Sequence, residues 1–470
     1  MGGYRGFAKN VGFLTLANFG TKILSFLLVP LYTSVLTTAE YGTYDLATNT
    51  ISLLIPIFTQ NVVDGVLRFT LDKDADKGEV LGIGLKHFLL SLVPAVAILA
   101  VNAVGGFLPQ LTALAPLVLL MYVSQALSSI LIYHVQGLNR FGDIAVSSVI
   151  CSGLIIACNI VFLLPLHLGL TGYFLANIIG PLIQTAYLAV RIRFSGERIV
   201  CGDKTLEHDM FAYSRPLIAN NIAWWVNNVS DRYVVTFFCG VDVNGIYSVA
   251  SKIPTILSTV QSIVSQAWTI SAVTEYDPED KDGFFANMYA GYNCAMTILC
   301  SLIIACNMLL ARILYANDFF AAWQYAPFLT ISVVFGALAG YIGGILAAAK
   351  DSKQFARSSV WGAVANIALN LATVPFVGPI GSAAATLISY WLTWFLRVRV
   401  LKKYIRMRMT LGRDYASYAV LVVQGITFLV VPDMLIAHVI QVALFAVELV
   451  LYRHELKAVV TKGILFIKNR

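Results

Sequence analysis

Apolar runs long enough to cross a bilayer recur about fourteen times along this chain, and that recurrence limits what it can fold into. A spanning helix needs about 20 mostly apolar residues, because lipid leaves no backbone polar group a partner outside its own element. The runs lie at 11–35, 41–67, 81–104, 109–136, 143–165, 170–192, 211–238, 244–272, 287–310, 323–349, 355–376, 378–398, 414–431 and 434–452. We number them spans 1 to 14. Composition agrees: 58% of the 470 residues are hydrophobic and only 12% charged, where soluble domains carry about 25% charged. The expected fold is an all-α integral membrane protein of about fourteen transmembrane helices.

The net charge of +7 follows topology and does not point to nucleic acid. With the N-terminus inside, nearly all of the 32 lysines and arginines fall in inner segments or just within their flanking span ends. Arg312 alone sits in an outer loop, and Lys22, Arg232 and Lys252 lie within spans. By the positive-inside rule both termini are cytoplasmic. Arg5 and Lys9 precede a long apolar run without an A-x-A-like cleavage site, so span 1 reads as retained. The densest basic stretch, Arg397 to Arg413, reads as topology plus contact with anionic headgroups. The seven cysteines lie mostly inside apolar runs, without metal-ligand spacing, and read as small apolar residues.

The chain also repeats itself. Tyr41-Gly42-Thr43-Tyr44 resembles Asn244-Gly245-Ile246-Tyr247, 203 residues on. Ala145 to Val149 resembles Ala356 to Val360, and Asn159 matches Asn370, each 211 apart; Gly169 and Gly172 resemble Gly378 and Gly381. The unit is six spans, an even number, so the halves are parallel repeats about an axis along the membrane normal. The expected organisation is a six-helix lobe over 1–200, a second over 201–410, and two further helices with a tail over 411–470.

Polar side chains inside spans default to a functional reading. Span 1 carries Thr15, Asn18, Lys22 and Ser25 on one face, with Lys22 near mid-span. Span 2 carries Asp45, Asn49, Ser52, Pro56, Gln60, Asp64 and Arg68 as one stripe, which must face protein or water. Asp64 and Arg68 read as an i, i+4 ion pair. Span 8 is striped with Ser248, Lys252, Thr255, Thr259, Ser262 and Gln266. On span 7, Asn221, Trp225, Asn228 and Arg232 share a face beside Asp231; indole beside amides suits a sugar, or else a helix contact. Arg68, Lys22, Arg232 and Lys252 thus set cations at three depths, an arrangement that would attract a diphosphate.

Pro30, Pro56, Pro94, Pro216 and Pro254 read as bends, and Gly336, Gly340 and Gly344 as a close-packing stripe. Glu448 in span 14 has no evident role. There is no GxxxxGK[ST], HExxH or GxSxG motif.

The run from Asn18 through Pro30-Leu31-Tyr32 and Glu40-Tyr41-Gly42-Thr43-Tyr44 to Asp64-Gly65-Val66-Leu67-Arg68 resembles the Wzx-like polysaccharide transporters. These belong to the superfamily containing multidrug and toxin extrusion antiporters and lipid II flippases. The resemblance implies a flippase in the bacterial cytoplasmic (inner) membrane. It would carry undecaprenyl-diphosphate-linked oligosaccharide to the outer leaflet by alternating access of two lobes about a cationic cavity. On that reading Lys22, Arg68, Arg232, Lys252, Asn18, Asn49, Asn228 and Trp225 would meet the substrate. Relatives place a cation site on spans 7, 11 and 12, which points to Asn366, Asn370 and Thr386; Asp64 or Asp231 would carry a proton. No cofactor or metal is implied, the coupling ion would be H+ or Na+, and glycan polymerase machinery is a candidate partner.

Two other readings remain. A multidrug antiporter of the same fold would want acids in its cavity, whereas bases outnumber acids in the central spans. A membrane glycan polymerase or ligase would carry a large outer loop, and the longest here is about 311–322.

Overall fold

The computed structural model of the chain describes residues 26–72, 75–106, 112–194, 200, 203–349 and 351–457. Lys22 and Asn18 lie outside them. The described residues hold helices and no strand. Clustered by contacts, the chain forms two compact units divided between Val229 and Ser230.

Unit 1 contains α1 (Val29–Val35), α2 (Thr38–Phe58), α3 (Val62–Thr70), α4 (Lys77–Gly105), α5 (Ala115–Gly137), α6 (Phe141–Leu163), α7 (Gly169–Phe194) and most of α8 (Lys204–Cys239). Unit 2 contains the rest of α8, then α9 (Val241–Ala250), α10 (Lys252–Thr274), α11 (Phe284–Ala305), α12 (Asn307–Leu314), a 3-10 turn (Asn317–Gln324), α13 (Ala326–Ala348), α14 (Ser352–Val377), α15 (Pro379–Leu401), α16 (Leu411–Val430) and α17 (Met434–Leu451). Every span from the second to the last coincides with a helix or a broken pair. Eight described helices are long and apolar enough to cross a membrane, or nine if the bent pair α2–α3 counts as one. The expected outer loop at 311–322 is itself mostly helical.

Local sequence sets the helix starts. Thr37 and Glu40 form a reciprocal capping box on α2, and Asp76, Asp351 and Asp433 accept first-turn N–H groups on α4, α14 and α17. Within each unit one helix is central. In unit 1 α5 touches α2, α3, α4, α6 and α7; in unit 2 α13 touches α10, α11, α14, α15 and α16. Both are the fourth span of their repeat. Their buried sides are mainly apolar, with Met121, Ala126 and Ile130 on α5 and Ile331, Leu338, Ile342 and Ile345 on α13. The outer helices α4 and α14 instead leave Val93, Val101, Val360 and Leu371 exposed, as lipid contact requires.

The two repeats share a backbone device. Gly169 and Gly378, at the starts of α7 and α15, both take left-handed φ values, 52° and 67°. One turn on, a Cβ on Gly172 would lie 2.9 Å from Phe162 Cβ, and one on Gly381 would lie 2.7 Å from Thr373 Oγ1. These glycines let α6 meet α7, and α14 meet α15, at close range. Of the predicted glycine stripe, Gly344 is pressed against Trp268, at 2.6 Å from a built Cβ, Gly336 approaches Tyr390, and Gly340 has nothing within 4 Å. The stripe is therefore only partly a packing surface.

Candidate functional site

The polar stripe of span 2 is not continuous. α2 ends at Phe58, α3 begins at Val62, and the two axes differ by 61°. Pro56 withholds an N–H from the last turn of α2, and Asn61 N–H instead reaches back to Pro56 O at 2.7 Å. Gln60 and Asn61 both adopt left-handed φ, 53° and 56°. Each such residue costs about 1–2 kcal/mol, so the surroundings must hold them. They do: Asn61 Nδ2 donates to Asp64 Oδ2 at 2.7 Å, Asn221 Nδ2 donates to Asn61 Oδ1 at 3.0 Å, and Arg215 Nε donates to Gln60 Oε1 at 3.0 Å. Gly65 lets α3 approach α8, since a Cβ there would lie 2.5 Å from Ser214 Oγ. Strained non-glycine residues over-determined in this way cluster at ligand clamps and switch regions.

Above the break, Trp225 donates its indole N–H to Asn49 O at 2.8 Å, while Asn49 Nδ2 bonds Asp45 O in its own helix. Ser52, from the predicted stripe, lines a cavity of about 360 Å³ with Ile55, Gln125, Ser128, Ser129 and Pro181. Nearby, Ser128 donates to Gln184 Oε1 at 3.2 Å and Gln184 Nε2 donates to Ser147 at 3.2 Å, tying α5, α7 and α6 together. All of this lies within unit 1.

Unit 2 holds a second polar array. Tyr247 O–H donates to Asp231 Oδ2 at 2.8 Å, and Ser382 O–H donates to Tyr247 Oη at 3.2 Å. One turn along α15, Thr386 Oγ1 accepts from Asn366 Nδ2 at 3.3 Å, and Asn366 Oδ1 accepts from Asn370 Nδ2 at 3.2 Å. Asn370 Oδ1 and both side-chain polar atoms of buried Asn244 find no partner among the described residues. Orphaned buried polar atoms are rare enough to mark places that take a water or an ion.

The other expected residues divide. Arg68 does not pair with Asp64. It reaches Asp72 at 3.7 Å in a half-exposed i, i+4 contact, while Asp64 faces Asn61. The 4-residue spacing Gln60–Asp64–Arg68 assumed one continuous helix; Gln60 is not helical, so the register it implied fails. Asn228 is exposed and bonds Trp224 O in its own helix. Lys252 opens α10 after a break at Ser251 and is half-buried, and Arg232 sits beside Asp231, whose Oδ1 accepts the Arg232 N–H at 2.9 Å.

Sequence reasoning missed Asn61, Ser214, Arg215, Tyr247 and Ser382. Tyr247 had a signal, its repeat match with Tyr44. Glu448 also gains a setting. It is fully buried between the last two helices, where Ser417 O–H donates to Oε2 at 2.7 Å. Close by, Arg413 bridges Asp414 and Glu455.

Residues 7–269 match the family described as polysaccharide biosynthesis protein. The chain belongs to that family. No curated protein matches it. Among solved structures, this family member is similar to the lipid II flippase MurJ in an inward closed conformation, with TM-score 0.67 and 14% identity over 93% of this chain and 98% of that one. An inward-facing multidrug resistance MATE transporter of the MOP superfamily gives 0.63 and 14%, over 81% and 96%. A MOP superfamily transporter from Pyrococcus furiosus, described as having a binding pocket of reverse polarity, gives 0.52 and 11%, over 84% and 96%. The fold is the one shared by that flippase and those membrane transporters.

Proposed function

We propose that the chain flips a polyprenyl-diphosphate-linked oligosaccharide across the bacterial inner membrane, by alternating access coupled to an H+ or Na+ gradient. The observation that carries this reading is the polysaccharide biosynthesis family match, on a fold similar to that of a lipid II flippase over nearly the whole chain. The cations Lys22, Arg68, Arg232 and Lys252 support an anionic substrate. The orphaned amides of Asn244 and Asn370, in the same unit as the Ser382–Tyr247–Asp231 chain, support ion binding in unit 2. Basic segments face the cytoplasm on this reading, with both termini.

The test is reconstitution. Purified protein in vesicles should expose a lipid-linked oligosaccharide, loaded in the inner leaflet, to an external glycan-cleaving enzyme. An imposed ion gradient should speed it. Protection of the glycan at the rate of protein-free vesicles would end the proposal. The antiporter reading is favoured by the MATE likeness alone; drug efflux in a pump-deficient strain, without glycan exposure, would establish it.

A further inference from the structure

Unit 2 buries an arginine that the transport reading does not use. Arg397 on α15 is 5% exposed. Its Nε donates to Ser358 Oγ at 3.0 Å, Nη1 to Ala339 O at 2.6 Å and Nη2 to Ser359 Oγ at 2.9 Å. The guanidinium lies over the Phe355 ring, 4.2 Å from its centroid. All these partners are neutral, and no carboxylate comes within ion-pair distance among the described residues. A buried cation normally carries a counter-charge, because taking it out of water is costly. The packing makes deliberate room for it: a Cβ on Gly343 would lie 2.7 Å from Nη1.

Beside it is a cavity of about 250 Å³, lined by Arg397, Arg357, Arg399, Gln354, Ser358 and Trp361 among others. Three arginines and, among the described residues, no acid line it. Asp351, at the start of α14, is spent elsewhere: it caps Gln354 N–H at 3.0 Å and accepts the Tyr404 hydroxyl. An arginine presents five N–H donors, and one on each terminal nitrogen of Arg397 is unused. That fork matches a phosphate or other oxyanion. The remaining wall, with Leu346, Leu396 and Val400, is apolar, and Trp361 and Val360 on α14 are exposed on the apolar outside. A structural tether of α13, α14 and α15 would explain Arg397 alone. It would not explain an acid-free cavity shared with Arg357 and Arg399.

We propose that this cavity binds the phosphate group of an anionic phospholipid at the basic end of unit 2. The basic stretch read from sequence as topology plus contact with anionic headgroups would then include a built site for one headgroup. The shared chemistry is a phosphate oxyanion, whether from a lipid or free in solution.

The experiment uses the full-length protein in nanodiscs of phosphatidylcholine, with and without phosphatidylglycerol, and in detergent with added inorganic phosphate. Melting temperature and native mass spectrometry are the readouts. Bound phosphatidylglycerol that raises the melting temperature in wild type, with apparent affinity lost by about tenfold or more in Arg357→Gln and Arg399→Gln, supports a lipid site. Both residues are exposed and are expected to fold. The same loss seen with inorganic phosphate and not with lipid keeps the oxyanion site and makes its source soluble, overturning the lipid assignment. No preference for phosphatidylglycerol over phosphatidylcholine and no phosphate effect, or effects unchanged in both variants, overturns the site. Glycan exposure plays no part in these readouts, so failure here leaves the flippase reading standing.

Discussion

At equivalent places the two repeats do different things. In unit 1, Tyr44 meets Tyr173 edge-on with ring centroids 4.4 Å apart, and Tyr41 stacks on Tyr32 at 4.7 Å. The family-like Pro30-Leu31-Tyr32 to Tyr44 run is thus an aromatic packing knot. In unit 2 the matching positions are Tyr247, Ser382 and Asn244; Ser382 and Tyr247 form a hydrogen-bond chain ending on Asp231, while the Asn244 amide finds no partner among the described residues. Asn159 of unit 1 bonds its own helix at Ile155 O; its counterpart Asn370 finds Asn366, which stands where unit 1 has Ile155. The backbone frame is shared while the side-chain chemistry at these positions has diverged, from aromatic packing in unit 1 to a hydrogen-bond chain in unit 2. Unit 1 keeps its strain elsewhere, at Gln60 and Asn61, whose counterparts Ile263 and Val264 lie inside the unbroken helix α10.

The largest expected effect tests the shared frame. Gly172→Val and Gly381→Val each force branched carbons into gaps already closed at Cβ. Each should cost up to about 3 kcal/mol, read as a fall in melting temperature in detergent. One variant folding like wild type would break the equivalence of α6–α7 with α14–α15.

Asn61→Ala should come next, at about 2–3 kcal/mol. It loses the bonds to Asp64 and Asn221 and places a residue with no left-handed tolerance at φ 56°. Val264→Ala, the same position in the unstrained repeat, should cost about 1 kcal/mol or less. Equal costs would show that the break is not a special feature of unit 1.

Tyr247→Phe then sharpens the functional side. Removing its hydroxyl breaks the bond to Asp231 Oδ2 and the one accepted from Ser382, and should lower transport by roughly tenfold. Tyr173→Phe keeps the ring that does the packing and should leave transport within about twofold. Reconstituted flux, with insertion checked, compares them; equal losses would erase the contrast between packed and polar repeats.

The span positions and repeat were legible because hydrophobic length and glycine placement carry them directly. Asn366, Asn370 and Thr386 were reachable as a group only through the family resemblance. The break at Gln60–Asn61 was not legible. The polar residues keep a 4-residue spacing straight through it, and neither left-handed residue is a glycine. The Asp64–Arg68 pair failed although both residues lie within α3: Asn61 at the break takes Asp64, and Asp72 offers Arg68 the same spacing one turn further on. Arg397 was read as topology and headgroup charge because it sits among other basic residues, although it lies inside the predicted span 378–398 and α15 buries it against α13 and α14.

The smallest expected effect lies outside the membrane and compares how each unit ties its basic end. Glu207 accepts from His87 at 2.6 Å and Lys86 at 2.8 Å, and these hydrogen bonds, His87 first, hold its carboxyl below the ordinary value. Asp351 is held low by the Tyr404 hydroxyl and then by the Gln354 N–H. A carboxyl whose value is depressed in the folded state adds stability that is present above its unfolded value. That stability fades as pH falls through the lowered folded value. Glu207→Gln should therefore flatten the acid side of the stability profile while changing little at neutral pH beyond the lost contact. Because Glu207 is only one-fifth exposed and ties α8 to α4, its effect should exceed that of Asp351→Asn, where the carboxylate caps the start of its own helix α14 and accepts from Tyr404. Melting temperatures taken from about pH 7 down to about pH 4 rank the two. A steeper acid loss left in Glu207→Gln than in Asp351→Asn would mean that unit 1 is held at this end by its apolar contacts, with Met210 and Phe211 carrying what the ion cluster does not.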